Sequence, residues 1–215
     1  MNEEYYVLED GEKTGPFSFS ELIERGIDID TPILMPGTDA WQNASYIPVF
    51  IEYFETQGYQ FPTEDNLAGF GWRILAFIID YMILSLIVFG IDVKSGLLVL
   101  PDTAKFDPAQ FLSTMPQRSL IIIEISFAVT FLIYNTFFEA TNFRGSLGKK
   151  LCGLKVVDAD GRKLNVITAF LRNLGAVTVY NIIGMIFLAV SYTVGQQKQT
   201  WYERMGKTYM IRNVE

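Results

Sequence analysis

Three long apolar stretches dominate the second two-thirds of the chain. They are Ile74–Ile91, Ser119–Phe138 and Leu174–Val194. Each has the roughly 20-residue length that a helix needs to cross a bilayer. The first lies within Gly71–Gly90 and carries two ionised groups, Arg73 and Asp80. They are two helical turns apart, so they share one face, yet about 10.5 Å of rise keeps their side chains from meeting on a straight helix. A carboxylate at that depth costs about 2.5–3.5 kcal/mol on insertion scales and must face protein or water. Arg172, Asn181 or water are the candidate partners for Asp80. The second stretch holds one charge, Glu124, and ends at Glu139; the third holds Asn181 and Gly184.

The pattern before residue 50 is that of a small α+β head. Tyr5-Tyr6-Val7-Leu8 predicts a strand, and Glu9-Asp10-Gly11-Glu12 a turn. Gly15-Pro16 breaks the chain before a helix from Phe19 or Ser20 to Glu24. Ser18 is its N-cap, with Glu21 placed for a capping box and Phe17 and Leu22 for a hydrophobic staple. Gly26 is the expected stop. Thr31–Met35 predicts another strand, Pro36-Gly37 a turn, and Trp41 an aromatic returning to the core. Residues 51–66 have no clear apolar period, and Gly58 and Pro62 break any helix, so they read as a linker, with Ile47–Phe54 left open as a segment packed on the head. Trp72 stands where an interfacial aromatic belongs.

Between the second and third stretches, Gly153–Val157 and Lys163–Val166 predict a β-hairpin around an Asp158–Gly161 turn. Lys207–Arg212 is a strand with no partner but that hairpin. An isolated hairpin is marginal, so the tail is expected to join it. Three complete spans would separate the tail from the hairpin. A third stretch broken near Asn181–Gly184 would re-enter and bring them together. Both readings stay open at this level.

Charge divides the chain the same way. Residues 1–65 hold 14 of the 24 acidic residues and 2 of the 17 basic ones. The acidic head favours a basic partner. The basic remainder flanks apolar segments, which points to a membrane and away from nucleic acid. Loop 139–173 carries seven basic residues against three in 92–118, so it is expected in the cytoplasm together with the head. The acidic N-terminus does not read as a secretory signal. The chain has no histidine, which removes imidazole catalysis and most zinc or haem sites. Its one cysteine, Cys152, has apolar neighbours and reads as packing. Gly145–Lys150 lacks the spacing of a phosphate loop. No enzyme, metal or cofactor is expected.

Two family resemblances complete the reading. Tyr5-Tyr6-Val7-Leu8-Glu9-Asp10-Gly11-Glu12-Lys13-Thr14-Gly15-Pro16-Phe17-Ser18, with Glu21-Leu22 and Asp39-Ala40-Trp41, resembles the bacterial GYF-like domain (GYF domain 2). The resemblance implies a proline-rich-peptide surface built from Tyr5, Tyr6, Phe17 and Trp41, since flat rings dock a preformed polyproline II helix. The same rings would fill the core of so small a domain.

Residues 67–213 resemble the RDD family of bacterial membrane proteins. The resemblance rests on Ala68–Asp80, on Ser146–Gly161 leading to Ala169–Arg172, and on Gln199–Tyr209. Tyr202-Glu203 stands where that family usually has His-Asp, which keeps the negative charge and removes a titrating partner. The fold class implied is a GYF-like head, then an α-helical transmembrane module of three apolar segments with a cytoplasmic β-hairpin. The expected place is the bacterial inner membrane, multi-pass, with the N-terminus cytoplasmic and a homo-oligomer as one arrangement. Arg73, Asp80, Glu203 and Glu124 are then either a polar cluster on an ion or solute path, or a structural ion pair that sets helix register, Arg73 holding Asp80 or Glu203. The functions that follow are ion or small-solute transport, or an accessory to it, and alternatively a membrane-anchored scaffold.

Overall fold

The computed structural model describes residues 4–9, 11–98, 115–178, 192 and 198–212. The chain divides into two compact units, Met1–Phe61 with Asp160–Arg162, and Pro62–Ala159 with Lys163–Glu215.

The first unit is a four-stranded antiparallel sheet with two helices. Strands β1 (Tyr5–Glu9), β2 (Glu12–Phe17), β3 (Pro32–Leu34) and β4 (Trp41–Asn43) lie in the order β2-β1-β3-β4. The Gly15-Pro16 break is wrong as a strand end: β2 runs through it, with a register shift opposite Tyr5 and Val7. Gly15 sits at φ +133° against the Tyr6 ring, where a Cβ would come within 2.9 Å of Tyr6 Cδ1. Helix α1 (Phe19–Glu24) starts at the expected capping box. The Ser18 N–H donates to Glu21 Oε2 at 2.7 Å, and this backbone bond, then the Ser18 hydroxyl, lowers the Glu21 carboxyl below its ordinary range.

Of the segment 51–66 read as a linker, the first part packs on the head, the alternative left open for Ile47–Phe54. Helix α2 (Pro48–Thr56) opens on a proline at its first turn, where the missing N–H costs nothing. It places Phe50 and Phe54 fully in the core with Tyr5, Val7, Leu22, Ile29 and Ile33. A domain this small needs those rings to bury enough area, which overrides the weak period of the segment.

The second unit is built on two long antiparallel helices, α3 (Phe70–Lys94) and α4 (Gln117–Ala140). Both are long and apolar enough to cross a membrane. The buried stripe of α3 is Arg73, Ala76, Asp80, Leu84, Val88 and Asp92, one residue per turn. Short α5 (Leu147–Leu151) packs on α3, and α6 (Val166–Val177) packs on α4. Strand β5 (Leu154–Asp158) pairs antiparallel with β6 (Thr208–Arg212), which follows α7 (Trp201–Met205).

The expected local hairpin is thereby corrected in its second strand. The antiparallel pair exists, but Lys163–Val166 is no strand: Asn165 caps α6, its side chain accepting from the Thr168 N–H at 2.8 Å. The tail strand takes the place beside β5. The chain entering α3 is tied to the same strands, since the Ala68 N–H donates to the Met210 carbonyl and the Arg212 N–H to that of Asn66.

Of the third apolar stretch, Leu174–Thr178 and Tyr192 are described; Asn181 and Gly184 lie outside the described residues. The Tyr192 hydroxyl donates to the Ala68 carbonyl at 3.0 Å, and its ring meets Phe70.

Candidate functional site

At the Arg73 end of the bundle, five elements bring charged side chains into one buried network. Arg73 Nη1 donates to both Glu203 oxygens, at 3.0 and 2.7 Å, while its Nε donates to the Ala68 carbonyl and its Nη2 to that of Lys198. Glu203 also accepts from Arg172 Nη2 at 2.9 Å. Arg172 Nη1 reaches Glu139 at 2.7 Å. Glu139 accepts further from Asn173 Nδ2 at 2.9 Å and from Lys149 Nζ, which also donates to Asn135 Oδ1. Glu139 and Glu203 are fully buried and Arg172 nearly so.

Asp80 belongs to the same region but to different partners. Its carboxylate accepts from the Ser146 hydroxyl, from the Tyr134 hydroxyl at 2.8 Å and from the Gly148 N–H at 2.8 Å. Of the anticipated partners, Arg172 turns to Glu139 and Glu203 and Asn181 lies outside the described residues; among the described residues Asp80 meets two hydroxyls and the start of α5. The reason is close approach: a Cβ on Gly148 would overlap the Ala76 carbonyl oxygen and stand 2.8 Å from Asp80 Cγ. Only glycine lets α5 settle against α3 at that distance. Asp80 is thus held by neutral donors, and Arg73 by Glu203.

Three cations (Arg73, Lys149, Arg172) face three carboxylates (Asp80, Glu139, Glu203), so the ensemble is neutral. Burial pushes the Glu203 carboxyl up, but the Arg73 and Arg172 guanidiniums and the Thr200 N–H outweigh it and hold it at about 2. Burial raises the Cys152 thiol, which packs with Leu154, Val156 and Leu164.

A cavity of about 100 Å³ opens beside this network. Its polar lining includes Arg73, Asp80, Asn135, Lys149, Arg172 and Asn173, with Thr200 and Tyr202 beside them and Phe70, Phe77 and Phe131 among the apolar walls. Glu139 and Glu203 are not among the lining residues, so the cavity meets mainly the cationic side of each pair. Arg172 Nε and Asn173 Oδ1 are buried with no hydrogen-bond partner among the described residues. A donor and an acceptor left unpaired each cost about 1–3 kcal/mol until something fills them. That volume accommodates a few waters or a small solute.

Of the four membrane residues singled out, Arg73, Asp80 and Glu203 are brought together. Glu124 is not: it lies fifteen positions before Glu139 on α4, about 22 Å along the axis. It lines a separate groove with Tyr81, Ser85 and Phe127. Sequence reasoning missed Lys149, Asn135 and Asn173. Asn135 and Glu139, four apart on one helix face, are the available signal; in the sequence Lys149 is one more charge of a basic loop.

In the first unit, Tyr5 is buried edge-on against Phe50 and belongs to the core. Trp41 does not return to the core as expected but stays on the surface at 37 % exposure. Register places Tyr6 opposite Leu34 and Leu34 opposite Trp41, so the three form one row across the sheet. Lys13 lies 3.9 Å over the Tyr6 ring, and Arg25 4.3 Å over Phe17.

With this geometry in view, comparison with known families is decisive. The RDD family pattern matches residues 67–207, well over half of the chain. The chain belongs to the RDD family. Its N-terminal residues 5–50 match GYF domain 2. Among curated proteins, the uncharacterized protein YckC of Bacillus subtilis is 35% identical over 72 residues, 32% of this chain and 48% of that protein. The chain thus spans about half the length of that relative. The uncharacterized protein YxaI of the same organism is 32% identical over 133 residues, 56% of this chain and 80% of YxaI. No solved structure shows significant similarity. The chain is therefore an RDD-family membrane protein carrying a GYF-type domain.

Proposed function

We propose that the RDD module takes up a small polar solute or ion in the cavity beside Arg172 and Asn173 and moves it across the inner membrane. The observation that carries this reading is the pair of buried groups without a partner among the described residues, Arg172 Nε and Asn173 Oδ1, on two polar residues that line a mostly apolar cavity in a membrane module. A bound molecule with both a donor and an acceptor would satisfy them.

The same proposal assigns two full crossings, α3 and α4, with both termini cytoplasmic. It is supported by the two flanks of the third apolar stretch. Asn173 bonds Glu139 and Tyr192 bonds Ala68, both at the Arg73 end, whereas a full span would part them by about 30 Å. The seven basic residues of loop 139–173 assign that end to the cytoplasm. The head then recruits a proline-rich or basic peptide through the Tyr6–Leu34–Trp41 row, with Phe17 paired opposite Tyr5 at the end of β2.

The test is solute and ion flux into liposomes holding the full chain. Flux above that of protein-free liposomes is expected for at least one small polar solute or ion. Ala176→Leu, which fills the cavity and leaves every polar group in place, is expected to lower it about tenfold, as a loss of about 1.4 kcal/mol would. Flux no faster than in empty liposomes across the panel removes the transport reading. The scaffold reading would then stand, because a buried ion-pair network that fixes how the helices pack serves an anchor equally well.

A further inference from the structure

Helix α6 is inside out. Its buried face is Ala169, Arg172 and Asn173, which holds the polar network. Its outward face is Val166, Ile167, Phe170, Leu171 and Leu174, with Ile167 72% and Leu171 60% exposed. These outward positions recur at one face of a 3.6-residue period. The only charged residue of the helix, Arg172, is turned inward onto Glu139 and Glu203. An amphipathic helix of a water-facing loop has the opposite arrangement.

We propose that the outward face of α6 is immersed in lipid hydrocarbon, with Lys163 just before it at the level of anionic headgroups. Two features favour acyl chains as the occupant. The helix packs on α4, whose own outward residues Ile133 and Phe137 are more than 60% exposed on a membrane-capable span, so the apolar surface continues from one helix to the other. Lys163 is two positions ahead of the Asn165 cap, its Nζ exposed and donating to Asn142 Oδ1 at 3.2 Å, so a positive charge stands at the start of the helix while the helix below stays apolar. The loop 139–173, which its basic residues mark as cytoplasmic, therefore dips into the bilayer over its last third. Arg172, Glu139 and Glu203 then lie behind a lipid-covered wall, which keeps bulk water away from that side of the ion pairs.

The test uses the full chain with Cys152→Ala, or Cys152→Ser if the first does not fold. Single cysteines replace Ile167, Leu171 or Lys163 and are spin-labelled, and the protein is reconstituted in phosphatidylethanolamine–phosphatidylglycerol liposomes. Accessibility to oxygen, which partitions into hydrocarbon, is compared with that to a water-soluble nickel chelate. Labels at 167 and 171 are expected to favour oxygen several-fold over the label at 163, which favours the chelate. Chelate preference at 167 and 171 would place the face in water and overturn the proposal. Protection from both reagents with dipolar broadening would show a second copy covering the face, and overturns it equally.

Discussion

Glu203 is the residue on which the network depends most. It sits between Arg73 and Arg172, fully buried, and its removal leaves the Arg73 guanidinium without its carboxylate and Arg172 with Glu139 alone. Breaking a buried pair from one side costs about 3–5 kcal/mol, so Glu203→Gln is expected to lower the thermal midpoint sharply in detergent. The pH sign follows from the carboxyl held at about 2, below its unfolded value near 4.3. Its contribution is complete above about pH 4.3, declines as pH falls through that window, and is gone below about 2. Thermal midpoints of the wild type and Glu203→Gln, measured from pH 6 down to pH 2, should converge; parallel curves would exclude this role. Sequence alone singled out Arg73 and Asp80 because charges inside an apolar run are conspicuous, and Glu203 through the resemblance of Gln199–Tyr209 to the RDD family. Lys149 and Asn173 escaped because a lysine in a basic loop and an asparagine at a span edge are ordinary.

At the scale of elements, the contact between α3 and α5 explains why Asp80 is tolerated in a span. The α5 start supplies the Ser146 hydroxyl and the Gly148 N–H, and Tyr134 of α4 completes the set. Gly148→Ala is expected to push α5 off α3, since its methyl would overlap the Ala76 carbonyl oxygen. Overpacking of this kind costs about 1–3 kcal/mol, and the loosened Asp80 adds to it. The measurement is the thermal midpoint beside that of Gly90→Ala, where a Cβ meets nothing within 4 Å and helix propensity favours alanine. An equal or higher midpoint for Gly148→Ala would show that the approach is not needed. Strand pairing was only half legible. Alternation marked β5 and β6 separately, but turn residues at Asp158–Gly161 suggested a local partner, and the cap at Asn165 claimed that segment for α6 instead.

For the whole molecule, the number of crossings decides where the tail goes. Single cysteines at Glu64 and Arg204 are expected to react with an impermeant thiol reagent from one face of sealed vesicles, and one at Leu97 from the other. Reaction of Glu64 and Arg204 from opposite faces would require three full spans. The amino-acid pattern by itself determined the two-part organisation, the membrane class of the second part, the capping box of α1 and the oddness of three charges. These are local properties: run length, period and charge sign need no knowledge of distant residues. The tertiary structure alone decided which charge meets which. Arg73 finds Glu203 across 130 positions, Asp80 finds Ser146 across 66, and β5 finds β6 rather than its neighbour. Such choices depend on how closely helices approach and which donors are left over once the backbone is paired, and both are set by packing in three dimensions.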